Sequence, residues 1–94
     1  METLLNVMER QDIAKRIRKK GYVPGSIYGP GVDKNLDIQI ERKTLNRFIK
    51  ENPIGSKVML QLDNNELPCI VKNIQYDLMN ESLIHIDFYA CAEN

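Results

Sequence analysis

The chain is poor in the residues on which many activities depend: it has no tryptophan, two phenylalanines, two cysteines and a single histidine. It also lacks any long apolar run, and a helix that crosses a bilayer needs roughly 20 apolar residues. Its start sets an acid at Glu2 and polar Asn6 where a secretory leader would carry a basic end and a longer apolar stretch. A cytoplasmic protein without membrane association is therefore expected. Cys69 and Cys91 stand 22 apart with no CxxC spacing, and His85 is the lone histidine. Neither a zinc cluster nor a disulfide framework is expected, and both thiols read as free.

Net charge is absent too, since 13 Lys and Arg balance 13 Asp and Glu. With 94 residues, 28% charged and 43% hydrophobic, the chain reads as one folded domain over residues 1–94. There is no room for a substrate domain beside a cofactor domain, which excludes large multi-domain enzymes. The zero sum hides a segregation. Residues 1–50 carry 11 Lys/Arg against 6 Asp/Glu, whereas residues 51–94 carry 2 against 7. Lys15, Arg16, Arg18, Lys19 and Lys20 put five cations into six positions. A local field of this kind is what a phosphate-bearing partner meets, whatever the total charge.

The elements are short. Leu4, Leu5, Val7 and Met8 suggest an opening strand. Asp12 is placed to cap a helix over about 12–20, with Ile13, Ala14 and Ile17 as its apolar stripe and Gly21 as its end. Val23 to Gly31 is too rich in glycine and proline for a helix and suits a strand running into a loop. Leu36, Ile38 and Ile40 alternate strictly with polar residues, the mark of a half-buried strand. Leu45, Phe48 and Ile49 define a second helix within Lys43–Lys50 that Pro53 stops. Val58 to Leu62 and Leu67 to Ile74 read as strands joined at an Asn64-Asn65 turn. A last strand, Leu83 to Tyr89, would bury Ile84, Ile86 and Phe88 and turn His85, Asp87 and Tyr89 the other way. About six short strands that must hide their edges are most economically closed into a small barrel.

Three chemistries compete for these residues. His85 and Asp87, two apart on a strand, could orient an imidazole as in a hydrolase, but Ser26, Ser82 and Cys69 are not placed by spacing as a nucleophile. Glycines 21, 25, 29 and 31 match no phosphate-loop pattern, and read as turn positions or close approaches of another backbone. The basic helix carries Lys15, Arg18 and Lys19 at i, i+3, i+4, with Arg16 and Lys20 flanking. Such a face repels itself unless a polyanion relieves it, although a charge run can also be a solvated face. Its apolar stripe is too narrow for a membrane surface.

The order of segments then resembles a known family. Arg16-Ile17-Arg18-Lys19-Lys20-Gly21-Tyr22-Val23-Pro24-Gly25-Ser26-Ile27-Tyr28-Gly29 resembles the R-x-R-x-x-G-x-[IV]-P-x-x-[IV]-Y-G signature of the bacterial ribosomal L-twenty-five/Ctc family of 5S rRNA-binding proteins. Ile74-Gln75 and His85-Ile86-Asp87-Phe88 resemble that family's [IV]-Q and H-[IV]-D-F blocks. The resemblance, to the short single-domain form, implies a mainly β fold: a closed six-stranded barrel with two or three short helices, like an anticodon-binding barrel. It implies a non-enzymatic component of the large ribosomal subunit bound to the loop E region of 5S rRNA. No small-molecule substrate and no cofactor are implied, apart from magnesium held by the RNA. By position, the RNA-facing residues would be Lys15, Arg16, Arg18, Tyr28, Gln75, His85 and Asp87, with Lys72 a further candidate. Three features differ from the family pattern: Glu9-Arg10-Gln11-Asp12 replaces a glycine- and lysine-containing loop, Gly25 and Ser26 stand where small or branched apolar residues are usual, and the second half is acidic. The alternative they leave open is a stress-related paralogue of the barrel that binds another RNA or a protein.

Overall fold

The computed structural model describes residues 3–92, so Glu2, read above against a leader, lies outside it. The elements run β1 (Thr3–Glu9), α1 (Ala14–Lys19), β2 (Tyr22–Tyr28), β3 (Leu36–Glu41), α2 (Arg42–Glu51), β4 (Lys57–Leu62), β5 (Asn65–Tyr76) and β6 (Leu83–Ala90). The strands close into a barrel in the order β1-β3-β2-β6-β5-β4. This is the expected mainly β architecture, with two short helices. Antiparallel pairing is less general than the short connections suggest, because β1–β4 and β2–β6 pair in parallel. Both parallel ladders join strands far apart in the chain, and they close the cylinder where a meander would leave edges.

Alternation fills the interior. Leu5 and Val7 of β1, Val23 and Ile27 of β2, Ile38 and Ile40 of β3, and Val58 and Leu60 of β4 are buried together with Cys69, Val71, Ile86 and Phe88. Burying a side chain of this size contributes about 1.5–3 kcal/mol. Leu45 and Phe48 belong to the same cluster, so α2 closes the barrel with its apolar face, and Phe48 meets Phe88 edge to face at 6.5 Å between centroids. Asn52, before the helix-stopping Pro53, ends α2 by donating Nδ2–H to the Phe48 carbonyl at 2.9 Å.

Helix α1 is shorter than expected and is capped differently. Its N-cap is Ile13, which has no side-chain acceptor, and Asp12 stands one residue ahead, accepting from the Ile13 N–H at 2.8 Å. Of the expected stripe Ile13, Ala14 and Ile17, only Ile17 is buried, and Ile13 is 59% exposed. Ile17 stays out of the barrel's interior cluster. The outward cross-strand pair Pro24 and Gln39 is nevertheless buried, and Gln39 Oε1 accepts from the Gln11 N–H at 2.9 Å. The segment containing α1 thus lies on the outside of the barrel, over β2 and β3. The β2–β6 ladder begins at Gly25, directly after Pro24, which has no N–H to give. Gly25 itself answers to close approach: a Cβ there would sit 2.8 Å from the Ile86 carbonyl oxygen.

Two local readings are corrected. The β4–β5 turn is Asp63-Asn64, with Leu62 paired to Asn65, and the positive φ (55°) falls on Asp63, another residue that tolerates that region. In β6, Leu83 is buried and Ile84 only half-buried, the reverse of a strict period of two. The cause is a register shift next to Ile84, described below.

Candidate functional site

The β5–β6 ladder contains two shifts of register. Cys69, Ile70 and Val71 pair with Ala90, Tyr89 and Phe88; then Asn73, Ile74 and Gln75 pair with Asp87, Ile86 and His85; then Tyr76 pairs with Leu83. Lys72 is thus an extra residue on β5 and Ile84 an extra residue on β6, two bulges that offset one another. Counting by twos from inward Val71 would send Asn73 into the core. The bulge at Lys72 instead turns Ile74 toward the core and leaves Lys72, Asn73 and Gln75 exposed. Between the bulges, Asn73 and Gln75 stand opposite Asp87 and His85 on the outer surface, with Ser26 beside Asp87 from β2.

Within this patch His85 Nδ1 lies 3.3 Å from Asp87 Oδ1, both side chains being partly exposed. A carboxylate at that distance orients the ring. Ser26 stands opposite Asp87 and not opposite His85, the reverse of the order in which a histidine would activate a hydroxyl. Cys69 points into the core at 1% exposure, and burial, assisted by nearby Cys91, pushes its thiol up to about 12. It is kept protonated and is no nucleophile. Among the described residues, no three His, Cys, Asp or Glu side chains are grouped to hold a metal ion.

The basic helix reaches the same patch at one point. With Ile17 facing the barrel, the 100° step per residue puts Arg18 on one flank of α1, Arg16 on the other, and Lys15 and Lys19 on the far side. Arg18 donates Nε–H and Nη2–H to the Ile84 carbonyl at 3.4 and 3.3 Å, next to His85. Arg16 turns to Asp12, Nη1 to Oδ1 3.6 Å, and is well exposed. Lys15 stands in solvent. The six-residue helix therefore brings Arg18, but neither Arg16 nor Lys15, up to β6.

A second cluster adjoins it. Tyr28 and Tyr89, register partners in the β2–β6 ladder, meet edge to face at 6.3 Å, and Lys72 Nζ lies 5.9 Å from the centroid of Tyr89. Lys72, Tyr89 and Tyr28 thus form a cation–aromatic strip along the edge of the Asn73–Gln75–His85–Asp87 patch. Of the residues singled out in the sequence, Arg18, Tyr28, Lys72, Gln75, His85 and Asp87 come together on one side of the barrel.

Two participants, Arg42 and Asn73, do not show in the sequence pattern. Arg42, at the first turn of α2, donates Nη1–H to the Leu83 carbonyl at 2.7 Å, while its own N–H donates to the Gly21 carbonyl at 2.9 Å. It joins the end of α1 to the start of β6. Asn73 is carried into the patch by the bulge, whereas Tyr89 lies on the outward face expected for it, beside its partner Tyr28. A cleft of about 630 Å³ lies elsewhere, between the β1–α1 connection and the start of β3. Four acids, Glu9, Asp12, Asp37 and Asp63, line it with two cations, Lys34 and Arg10, of which Arg10 is paired to Asp37 at 3.6 Å.

Comparison with known proteins gives a consistent result. The profile of the Ribosomal L25p family matches residues 5–88. The chain is 34% identical over 93 residues to the large ribosomal subunit protein bL25 of Desulfitobacterium hafniense, covering 99% of this chain and 51% of that protein. It is 38% identical over 87 residues to the bL25 protein of Clostridium tetani, covering 93% of this chain and 45% of that one. It is also 34% identical over 91 residues to bL25 of Thermosipho africanus, covering 90% and 42%. The chain spans about half the length of these relatives.

Proposed function

The chain belongs to the Ribosomal L25p family, and from that premise we propose that residues 1–94 form a single RNA-binding domain that docks on the loop E region of 5S rRNA, as a non-catalytic component of the large ribosomal subunit in the cytoplasm. The observation that carries this reading is the convergence of Arg18 with the outward face of β5 and β6. A cation donated by an early helix sits one residue from His85, beside a patch with an amide (Gln75), an imidazole and a carboxylate (Asp87).

The chemistry suits an irregular RNA duplex. In regular A-form RNA the base edges of the major groove are out of reach, whereas non-Watson–Crick pairs open a groove that side chains enter. Cations then fix the backbone while Gln75, His85 and Asp87 read base edges and 2′-hydroxyls. A carboxylate belongs in such a set, because it accepts from base amino groups and orients His85. Tyr28 and Lys72 extend the face, Tyr28 with an aromatic body and a hydroxyl tip, Lys72 with a point charge. Lys15 and Arg16 act at longer range, as part of the field of the basic helix.

The test is a titration of 5S rRNA fragments with and without loop E at several salt concentrations. The intact fragment should bind more tightly, with log K falling linearly in log salt by roughly 0.9 per phosphate contacted. Equal affinity for both fragments would overturn the loop E assignment. The acidic cleft by the β1–α1 connection favours the second reading, a barrel turned to another RNA or to a protein partner, and that reading gains if neither fragment binds.

A further inference from the structure

Resting on that reading, we propose that Asn73 is a specificity-determining RNA contact, aimed at a base edge from the centre of the patch. Asn73 owes its place to an irregularity. Were β5 a regular strand, the inward positions Cys69 and Val71 would be followed by Asn73, and an unpaired amide would be buried among Ile38, Ile86 and Phe88. Lys72 is the extra residue that prevents this, and Ile84 restores the register after three pairs. Each bulge gives up regular ladder bonding, and bulges of this kind re-aim side chains next to functional sites. Here two of them bracket a window whose outward residues are all polar: Asn73, Gln75, His85 and Asp87.

Three further observations bear on Asn73. It is exposed, and its amide makes no hydrogen bond among the described residues, in contrast to Arg18 and Arg42, which are engaged. It faces Asp87 directly, so its amide donors and acceptor stand beside a pure acceptor and complete a mixed donor–acceptor set. It also lies between Lys72, on the side of the tyrosine pair, and Gln75, on the side of Arg18, so that RNA bridging those two clusters passes over it. An amide in that position makes a pair of hydrogen bonds with a base that offers a donor beside an acceptor, the geometry by which Asn and Gln recognise adenine.

The test uses the full chain and a loop E fragment of 5S rRNA, with fragments substituted one base at a time. Asn73→Ala should bind the parent fragment about tenfold more weakly. Its preference for the parent over one of the substituted fragments should shrink, with the salt slope unchanged because no phosphate contact is lost. Asn73→Asp, which sets two acids opposite one another, should bind more weakly still. If Asn73→Ala binds every fragment as the unaltered protein does while Gln75→Ala and Asp87→Ala are weakened, Asn73 has no such role and the loop E reading stands. A uniform loss on all fragments together with a lowered urea midpoint makes Asn73 a structural residue and also overturns the proposal. If all three variants bind like the unaltered protein, the patch is not the RNA surface, and both readings fall.

Discussion

The guanidinium of Arg18 donates to the carbonyl of Ile84, a residue 66 positions further along the chain, through Nε at 3.4 Å and Nη2 at 3.3 Å. These are long bonds, so the group is held in place without being consumed, and Nη1 makes no bond among the described residues. Arg18→Ala should therefore lower affinity for the loop E fragment by about 1–3 kcal/mol while costing no more than about 1 kcal/mol in unfolding free energy. Arg18→Lys keeps the charge and loses the fork, and should recover the salt dependence without the full affinity. Paired binding and urea titrations read both quantities.

Arg42 should show the opposite balance. Its 2.7 Å bond to the Leu83 carbonyl is part-buried and fixes the first residue of β6. Arg42→Ala strands that carbonyl, and the expected loss is about 1.5–3 kcal/mol of stability, larger than for Arg18→Ala. RNA affinity under strongly native conditions should change less than for Arg18→Ala. A urea midpoint unchanged in Arg42→Ala would count against this role.

Backbone approach sets a third expectation. At Gly29 φ is +124°, and a Cβ would lie 2.7 Å from the carbonyl oxygen of Ala90. Gly29→Ala combines conformational strain with a backbone collision and should destabilise by about 2–3 kcal/mol. Gly55 has a φ of +97° but nothing within 4 Å of its would-be Cβ, so Gly55→Ala meets strain alone and should cost about 1 kcal/mol. Thermal unfolding of the two variants separates the contributions.

The two thiols should titrate and react differently. Cys69 is buried, and its thiol is raised from 9.0 to about 12, chiefly by burial and secondarily by Cys91. In the native protein Cys91, half exposed, should be alkylated first, with Cys69 modified only as the chain unfolds. The sign of the pH effect follows: the folded chain holds a proton that the unfolded chain releases, so this contribution to stability is intact below pH 9 and is lost as the pH rises toward 12. Urea unfolding across that window should fall less steeply in Cys69→Ala than in the unaltered protein.

Where a segment obeys one rule throughout, the sequence and the structure agree. Leu36 to Glu41 alternates without exception and is β3, and Leu45, Phe48 and Ile49 mark the face of α2 that turns to the core. The misses arise where contacts, some local and some distant in sequence, displace a single residue. Asp12 is a good capping residue, yet Ile13 occupies the cap, while the Asp12 side chain takes the Ile13 N–H and an ion pair with Arg16. Ile84 belongs to the inward set of β6 by period and leaves it because the strand carries one residue more than its partner there. No local pattern announces a bulge, since it is a property of two strands together. The polar patch was half legible for this reason: His85 and Asp87 lie on one regular stretch, whereas Asn73 joins them only through pairing. Arg42 was hidden because its charge reads as part of a helix start, and only the tertiary fold brings Leu83 beside it.

The position of β6 between β2 and β5 bears on how the molecule is made. It is last in chain order among the described strands, yet it pairs in parallel with early β2 on one side and antiparallel with β5 on the other. While a growing chain lacks residues 83–90, β2 and β5 have no common neighbour, the cylinder stays open, and His85 and Asp87 have yet to join Asn73 and Gln75. Closure of the cylinder and assembly of the outward polar patch are therefore one event, the insertion of β6.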